Sequence, residues 1–374
     1  MSKFKDYPCV TKEELMAYTF IALLAITIVS ALLWSQAADQ GWNLGLTVAI
    51  TAIIAVSVAV GVNFALCKLV MKDSINTMSA AVFGLIVTNS YSLGVPGLAQ
   101  ASDPIPKALL SAPDCFIYVA LISLIGLVVF KKIQGLAGRK FINPAATAKF
   151  LILLPFISTV FLAKDHFAAF SSGGLGVPNL AGPIGNTVIN GNGLNSFVSY
   201  LQSCYSNPAT TTYSSLEQLM ILQKFHGWIG GASSLAVIVV GLTLFVLANR
   251  IIKWKITTAY FVGIVVMSLL MTGIYGGSMY VRLIFEVFIG SSIFLAFFMA
   301  TDPATTPETC NGQILFGVGL AILTVLIQTY MNFFGGSLLA LLIMNLTTPA
   351  LDKVGAAFTR SKLASTKAQA FLSL

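Results

Sequence analysis

Ten apolar runs, each bounded by polar or turn-forming residues, divide the chain and set its fold class. Most of them approach the roughly 20 residues that a helix needs to cross the hydrocarbon core of a bilayer. Backbone polar groups inside a membrane must be satisfied internally, so each run is expected to be helical. The sequence therefore predicts an all-α polytopic membrane protein with about ten transmembrane helices. The predicted spans are Leu15–Trp34, Leu44–Leu66, Ser79–Tyr91, Ala112–Phe130, Ile142–Leu162, Ile229–Leu247, Thr257–Ile274, Leu283–Ala300, Ile314–Tyr330 and Gly335–Leu351.

Two of these runs are candidates for broken helices. The third is short and is followed by the stretch LGVPGLAQASDPIP, which suggests a half-helix or a re-entrant segment. The eighth ends in ATDP, where proline stops a helix because it lacks an N–H and restricts the residue before it. Non-helical backbone at membrane depth is tolerated where it is buried in protein or lines a cavity.

The basic residues test the number of spans and give an orientation. Only 9% of the residues are charged, whereas a soluble domain carries roughly 25%. With the N-terminus in the cytoplasm, sixteen Lys and Arg fall inside, four fall outside, and Lys149 falls within a span. This asymmetry follows the positive-inside rule and predicts that both termini are cytoplasmic in the cell membrane. The net charge of +8 therefore reports orientation and indicates no nucleic-acid partner.

The predicted topology gives five segments along the chain. An odd number of helices per group inverts the second group relative to the first, as in many transport folds. A weak sequence echo supports this inversion, since Ala101-Ser102-Asp103-Pro104 follows the third run and Ala300-Thr301-Asp302-Pro303 follows the eighth. The segments are a cytoplasmic N-terminal segment (1–14), a first five-helix repeat (15–162), an extracytoplasmic loop (163–228), a second five-helix repeat (229–351) and a cytoplasmic tail (352–374).

The long outer loop is the largest part of the chain that is not predicted to be helical. It contains GGLGVPNLAGPIGNTVINGNGLNS and then SNPATTTYSSLEQL, and it carries few charges. Loops of this length are usually either functional or disordered. The loop is thus either a flexible connection or a surface for a cofactor or partner, and its composition favours the second interpretation.

Several ionisable residues lie in or beside apolar runs, where charge is costly and often functional. Asp302 either caps a helix-ending turn at the water boundary or serves an ion pathway, for which Asp103 and Glu286 are further candidates. Arg282 and Glu286 are four residues apart, so they share a helix face and could form a local ion pair. Lys149 either extends back to the cytoplasmic headgroups or binds an anionic or carbonyl-bearing group.

The cysteines and histidines do not form a metal-ligand pattern. The five cysteines are scattered without a CxxC pair, and the two histidines, His166 and His226, are far apart. This spacing argues against a zinc or iron–sulfur site within the chain. Any metal-based redox centre would have to be supplied by another protein.

Three stretches together resemble a known family. They are GRKFINPAATAKFLILLP (Gly138–Pro155), FFMATDPATTPETCNGQILFGVGLAILTVLIQ (Phe297–Gln328) and NFFGGSLLALLIMNLTTPALD (Asn332–Asp352). The chain resembles the D subunit of the Rnf ion-translocating electron-transport complex and the related B subunit of the sodium-translocating NADH:quinone oxidoreductase. The short polar N-terminal extension favours the Rnf side.

The resemblance implies a flavin-bearing membrane subunit. Family members carry flavin mononucleotide (FMN) esterified through phosphate to a threonine of an SGAT motif, in the outer loop between the two halves. The SGAT motif is absent here, and the nearest match is Asn207-Pro208-Ala209-Thr210, with Cys204 at the place of an upstream acid. Thr210 is therefore the candidate for covalent FMN, and Thr211 and Thr212 are the alternatives. A threonine run in a solvated loop is the other interpretation.

Further positions follow from the same resemblance. The NPAA motif makes Asn143 and Lys149 candidates for cofactor binding, and riboflavin or another non-covalent flavin is a second cofactor candidate. Ala232 stands where the family often has an acid after a glycine pair, so ions in this chain would take another route or depend on other subunits.

The expected function is that of one member of a multi-subunit translocase. It couples electron transfer from the ferredoxin side to NAD or another acceptor with the movement of sodium or protons. Iron–sulfur and flavin subunits, both integral and peripheral, are the expected partners, because flavins bridge one- and two-electron donors and need a nearby centre. Two alternatives are a non-redox transporter or channel on an inverted repeat, and a structural anchor for soluble redox subunits.

Overall fold

The computed structural model describes residues 12–35, 38–39, 41–71, 76–91, 112–133, 142–151, 217–222, 228–248, 252–289, 292–330 and 336–372. Nearly all of these residues are helical, which confirms the predicted all-α class. A two-residue antiparallel ladder, β1 (Ala38–Asp39) with β2 (Trp42–Asn43), connects the first two helices. Asp103 and the three candidate threonines of the outer loop lie outside the described residues.

Eleven helices are numbered here in chain order. Three helices continue into π-helical turns: α2 into Leu66–Met71, α4 into Gly126–Ile133 and α9 into Leu295–Met299. Short π-helical (Gln218–Leu222) and 3-10 (Ile229–Gly231) turns precede α6. The helices are α1 (Lys12–Trp34), α2 (Leu44–Ala65), α3 (Thr77–Ser90), α4 (Cys115–Ile125), α5 (144–151), α6 (Ser234–Leu247), α7 (Trp254–Tyr275), α8 (Met279–Phe288), α9 (Ser292–Phe294), α10 (Cys310–Tyr330) and α11 (Gly336–Leu372).

Six described helices are long and apolar enough to cross a membrane, and a bent pair of helices makes a possible seventh span. The bent pair joins Met279–Phe288 to Ser292–Met299 at an angle of 59°, which agrees with the expectation of a broken eighth run. The predicted count of about ten is not confirmed over the described residues. The third and sixth runs form helices of 14 residues, about 21 Å long, and the fifth is described only to residue 151.

Close helix contacts in both halves of the chain depend on small residues. In the first half α2 packs against α3 and α4, and a Cβ on Gly84 would lie 2.7 Å from the Cα of Val56. In the second half α7 packs against α8 and α10, and a Cβ on Gly263 would lie 2.6 Å from that of Ala321. Glycine lets helix backbones approach in a membrane, where lipid offers no hydrophobic drive for helix association.

The two halves are joined where the 3-10 turn meets the end of α3. The Ile229 N–H donates to the Tyr91 carbonyl at 2.7 Å. Next to it, a Cβ on Gly230 would lie 2.7 Å from the Cβ of Asn89 and 2.9 Å from the ring of Phe294. The start of the second half is therefore embedded against the first, and α1 also packs against α6.

Candidate functional site

The NPAA segment forms the start of α5, and Asn143 is its N-cap. The Asn143 side-chain oxygen accepts from the N–H groups of Ala145 and Ala146 at 3.1 and 3.2 Å. Pro144 occupies the first helical position, where its missing N–H costs nothing and its fixed φ suits the helix. The motif therefore begins a helix inside the protein, since Asn143 is only 4% exposed.

The ATDP segment forms a compact turn after α9. Both carboxylate oxygens of Asp302 accept hydrogen bonds within this turn, one from the Ala304 N–H and one from the Thr305 hydroxyl, each at 3.2 Å. The Asp302 carbonyl also accepts from the Thr306 hydroxyl at 2.6 Å. Asp302 thus caps the turn, as one of the two interpretations from sequence expected, and its side chain is half-buried.

The two segments meet at the Met299 carbonyl. This oxygen accepts from the Asn143 side-chain amide and from the Asp302 N–H, both at 3.4 Å. With its amide turned to satisfy both ends, Asn345 of α11 bridges them a second time, accepting from the Asn143 N–H at 3.0 Å and donating to the Thr305 carbonyl at 3.3 Å. The structure therefore brings together two motifs that are more than 150 residues apart in the sequence.

A cavity of about 250 Å³ lies between the two motifs. The starts of α1, α3 and α5 and the ends of α4 and α6 reach it, as expected for helices that alternate in direction. Its walls are mainly apolar, and its polar groups sit near the two motifs. The residues that define its character are Phe83, Phe297, Phe298, Lys131, Asn143 and Asp302.

Two lysines, Lys131 and Lys253, lie at the end of the protein that holds the cavity. This end is here called the basic end. The Lys131 amine donates to the Ser79 carbonyl at 2.5 Å and lies 5.4 Å from the centre of the Phe83 ring. The Lys253 amine donates to the carbonyls of Pro303 and Thr306 at 3.0 and 2.8 Å. Sequence analysis used both lysines only for orientation. Their positions at the ends of apolar runs do not predict that Lys253 contacts the ATDP turn or that Lys131 lines the cavity.

Lys149 lies on α5, farther from the basic end, and is buried. Its amine donates to the Ser90 carbonyl at the end of α3 and lies 4.2 Å from the centre of the Trp228 ring. With 2% exposure, it does not reach the protein surface. A carbonyl and an aromatic face both stabilise an ammonium group, so Lys149 connects the end of α3 to the start of the second half at Trp228.

A chain of aromatic rings links the Lys149 region to the cavity. Trp228 packs edge-on against Phe294 with ring centres 6.1 Å apart, and Phe294 stacks on Phe298 at 5.2 Å. Because Phe298 lines the cavity, these rings form a continuous apolar wall between the two places.

Glu286 is also buried and lies in a separate polar region between α7, α8, α9 and α10. The Thr329 hydroxyl donates to one carboxylate oxygen of Glu286 at 3.1 Å. Arg282 lies one helical turn away on α8 and is likewise buried. The sequence candidates therefore separate into two places, one with Asn143 and Asp302 and one with Glu286. Within the described residues, no group of three or more His, Cys, Asp or Glu could hold a metal ion.

Comparison with known proteins identifies a family and individual relatives of this chain. The model of the family described as NQR2, RnfD, RnfE matches residues 108–359, more than half of the chain. The D subunit of the Na(+)-translocating ferredoxin:NAD(+) oxidoreductase complex of Acetobacterium woodii is 25% identical over 333 residues, covering 87% of this chain and 85% of the relative.

Two other relatives align over shorter stretches. The D subunit of the proton-translocating ferredoxin:NAD(+) oxidoreductase complex of Clostridium ljungdahlii is 28% identical over 240 residues, covering 63% of this chain and 66% of the relative. The B subunit of the Na(+)-translocating NADH-quinone reductase of Stutzerimonas stutzeri is 29% identical over 247 residues, covering 63% of this chain and 53% of the relative. The matched residues include both the NPAA and the ATDP segments. The chain therefore belongs to the NQR2, RnfD, RnfE family and is similar to the D subunits of Rnf complexes.

Proposed function

We propose that the chain is the flavin-carrying membrane subunit of an Rnf-type complex that couples electron transfer to the translocation of sodium or protons. The observation that carries the proposal is the junction of the NPAA and ATDP segments across a cavity between the two halves of the chain. The relatives named above are subunits of ion-translocating oxidoreductase complexes. One of these complexes translocates sodium and another translocates protons. The coupling ion is therefore sodium or protons.

The architecture that we propose has about ten spans in two inverted five-helix repeats, with both termini cytoplasmic. Two pairs of corresponding helices pack alike in the two halves, since α2 contacts α3 and α4 while α7 contacts α8 and α10. The short helices α3 and α6 and the bent pair α8 and α9 take the place of full spans. Discontinuous helices near the bilayer midplane are typical of transport folds of this kind.

The cavity supports a non-covalent flavin ring system as one cofactor. Phe83, Phe297 and Phe298 offer flat apolar walls, and Asn143 and Lys131 offer hydrogen-bond donors at one side. A bound flavin would exchange one or two electrons with its partners. The chain's own phenyl groups would contact the ring, and Asn143 and Lys131 would donate to its polar atoms. The volume, about 250 Å³, is below the ~300–1,000 Å³ of pockets for drug-sized ligands, so it suits a ring and not a dinucleotide.

Covalent FMN on Thr210, with Thr211 and Thr212 as alternatives, is the second part of the proposal. The loop offers a row of hydroxyls for a phosphoester, and Trp228, at the end of the loop, lies beside Lys149. The partners that we propose are the integral and peripheral subunits of the same complex, including iron–sulfur and flavin proteins.

The decisive experiment is a search for flavin on the outer loop of the complex purified from its native host. A phosphoester survives denaturation, so the protein should fluoresce in a denaturing gel. The tryptic peptide that contains Thr210 and ends at Lys224 should carry the added mass of FMN. Thr210→Val should remove both signals while the protein remains in the membrane. A flavin-free peptide would refute the covalent attachment.

The same preparation separates the two classes of function. If the purified chain contains neither covalent nor extractable flavin and shows no visible absorption, the non-redox transporter is the better description. The inverted repeat and the broken helices suit that alternative equally well.

A further inference from the structure

Six buried oxygen-bearing side chains gather between α7, α8, α9 and α10, away from the cavity at the basic end. Each of them has 0% exposure. They come from four separate segments, so no single helix face accounts for the cluster. Its members, here called the oxygen cluster, are Tyr260, Glu286, Ser292, Thr324, Gln328 and Thr329.

Contacts between these side chains show that they form one group. Thr329 donates to one oxygen of Glu286 at 3.1 Å, and the Gln328 amide nitrogen donates to the Ser292 hydroxyl at 3.4 Å. The Tyr260 hydroxyl lies beside those of Ser292 and Thr324 and within electrostatic reach of Glu286. These contacts connect all six side chains into one buried polar cluster.

Two oxygen atoms in this cluster that act as acceptors have no hydrogen-bond partner among the described residues. They are the second carboxylate oxygen of Glu286 and the amide oxygen of Gln328. Buried polar groups are almost always hydrogen-bonded, because an unpartnered one retains the full cost of leaving water. The ionised Glu286 carboxylate and the Gln328 amide oxygen can only accept, so what satisfies both of them is a donor or a cation.

We propose that the oxygen cluster binds one dehydrated sodium ion. This inference rests on the proposed function and names a binding site for the ion that the complex moves. Carboxylate, amide carbonyl and hydroxyl oxygens are the ligands that hard cations prefer. A monovalent ion adds less charge to the bilayer than a divalent ion, which matters here because Arg282 already interacts electrostatically with the Glu286 carboxylate. A proton on Glu286 would turn its second oxygen into a donor, and the comparison of sodium with potassium below separates that case from a bound sodium ion.

The broken helix adds to the attraction for a cation. α8 ends at Phe288, two residues after Glu286, and the chain then bends by 59° into the segment that begins at Ser292. The carbonyl end of a helix carries a partial negative charge. In transport folds, half-helix ends at membrane depth coordinate sodium in this way. The end of α8 therefore directs its negative pole to the side of the fold that holds the cluster.

Arg282 keeps the proposed site from binding too tightly. It lies one turn from Glu286 on the same face of α8, so its positive charge opposes a cation at the carboxylate. An ion must leave a transport site as well as enter it. Arg282 therefore provides a competing positive charge that makes sodium exchangeable, and its removal should raise the affinity of the site.

The test uses thermal unfolding of the purified full-length chain as NaCl replaces KCl at constant ionic strength. A ligand that binds only the folded state raises the melting temperature with concentration. The wild type should melt at higher temperature in sodium than in potassium. Glu286→Gln should raise the half-effective sodium concentration at least tenfold, Thr324→Val should raise it less, and Arg282→Gln should lower it.

Thr51→Val is the matched control, because Thr51 is an equally buried threonine on α2 whose hydroxyl bonds within its own helix. It should leave the response to sodium unchanged. A wild type without a sodium-specific shift, or Glu286→Gln and Thr324→Val chains that keep the shift, would overturn the site. Should Glu286→Gln fail to fold, Thr324→Val and Arg282→Gln still decide between these outcomes.

Failure of the site can be told from failure of the proposed function. Flavin on the outer loop and electron transfer in the assembled complex are measured independently of sodium binding. If flavin is present but sodium does not raise the melting temperature, the sodium site is refuted and the proposed function is retained. If flavin is absent, the proposed function falls whatever the sodium response.

Discussion

Asn143 and Asp302 donate to the same atom, the Met299 carbonyl oxygen, each at 3.4 Å. One donor is a side-chain amide at the start of α5, and the other is a backbone N–H in the turn after α9. A residue from each half of the chain is thereby fixed to one point at the edge of the cavity. Substitutions at either residue should affect both the turn and the cavity.

Asn143→Ala should destabilise the protein by about 1–3 kcal/mol, because it removes both the helix cap and the bond to Met299. Asn143→Ser should cost less, since serine can still cap α5 but does not reach the Met299 carbonyl. Thermal unfolding of the full-length chain in detergent measures both. Equal losses for the two variants would show that the cap contributes nothing.

Asp302→Asn should lower coupled ion flux and electron transfer while the protein still accumulates in the membrane. Asparagine can accept from the Ala304 N–H and bond the Thr305 hydroxyl, so the turn should persist without its charge. Asp302→Ala should reduce the amount of protein as well, because both bonds are lost. The measurement is activity per amount of this chain in the complex. Wild-type activity in Asp302→Asn would mean that Asp302 is purely structural.

Lys149 and Trp228 should be energetically coupled, because the amine lies 4.2 Å from the ring centre. A double-mutant cycle with Lys149→Met and Trp228→Leu should give a coupling of about 0.5–2 kcal/mol, the range for a cation above an aromatic face. Unfolding of the two single variants and the double variant provides the data. Additive losses would show that the two side chains only pack near each other.

Two glycines of α7 should respond oppositely to alanine. A Cβ on Gly263 would lie 2.6 Å from that of Ala321 on α10, so Gly263→Ala should force the helices apart and lower the melting temperature. A Cβ on Gly273 meets nothing within 4 Å among the described residues. Gly273→Ala should therefore be neutral or stabilise the helix by up to about 1 kcal/mol. A neutral Gly263→Ala would mean that α7 and α10 can separate without cost.

The orientation predicted from the basic residues places Cys204 outside the cell membrane. An impermeant thiol reagent should label Cys204 in intact cells, and Cys204→Ser should remove this label. Cys310, which is exposed and lies between the eighth and ninth runs on the side predicted to be cytoplasmic, should be labelled only after permeabilisation. Labelling of Cys204 only in permeabilised cells would reverse the proposed topology.

The positions of the helices followed from the apolar runs, but their lengths did not in every case. The sixth run was expected to begin at Ile229, whereas α6 begins at Ser234 because Ile229–Gly231 forms a 3-10 turn and the Ser233 hydroxyl caps the helix. Hydropathy alone cannot distinguish a buried turn from the first turn of a span. The Ser233 cap is a signal that could have moved the boundary.

The candidate site was predictable only in parts. Asp302 and Glu286 stood out because acids are rare in apolar runs. The bond between Asn143 and Met299 spans 156 positions, and no local pattern encodes such a contact. Gln328 and Thr324 were missed because a few neutral polar residues lower the mean hydropathy of a long apolar run too little to mark a site. The roles of Lys131 and Lys253 depend on which loops meet at the basic end.

Asn143 also connects the two halves of the chain. Its side chain and its backbone make the two hydrogen bonds that cross between the halves at the cavity edge, to Met299 and to Asn345. Breaking both costs about 1–3 kcal/mol net, because water can replace them once the edge opens. These two bonds therefore fix the NPAA segment against the ATDP turn and α11, and a cofactor or partner that bound across the cavity edge would stabilise the same arrangement.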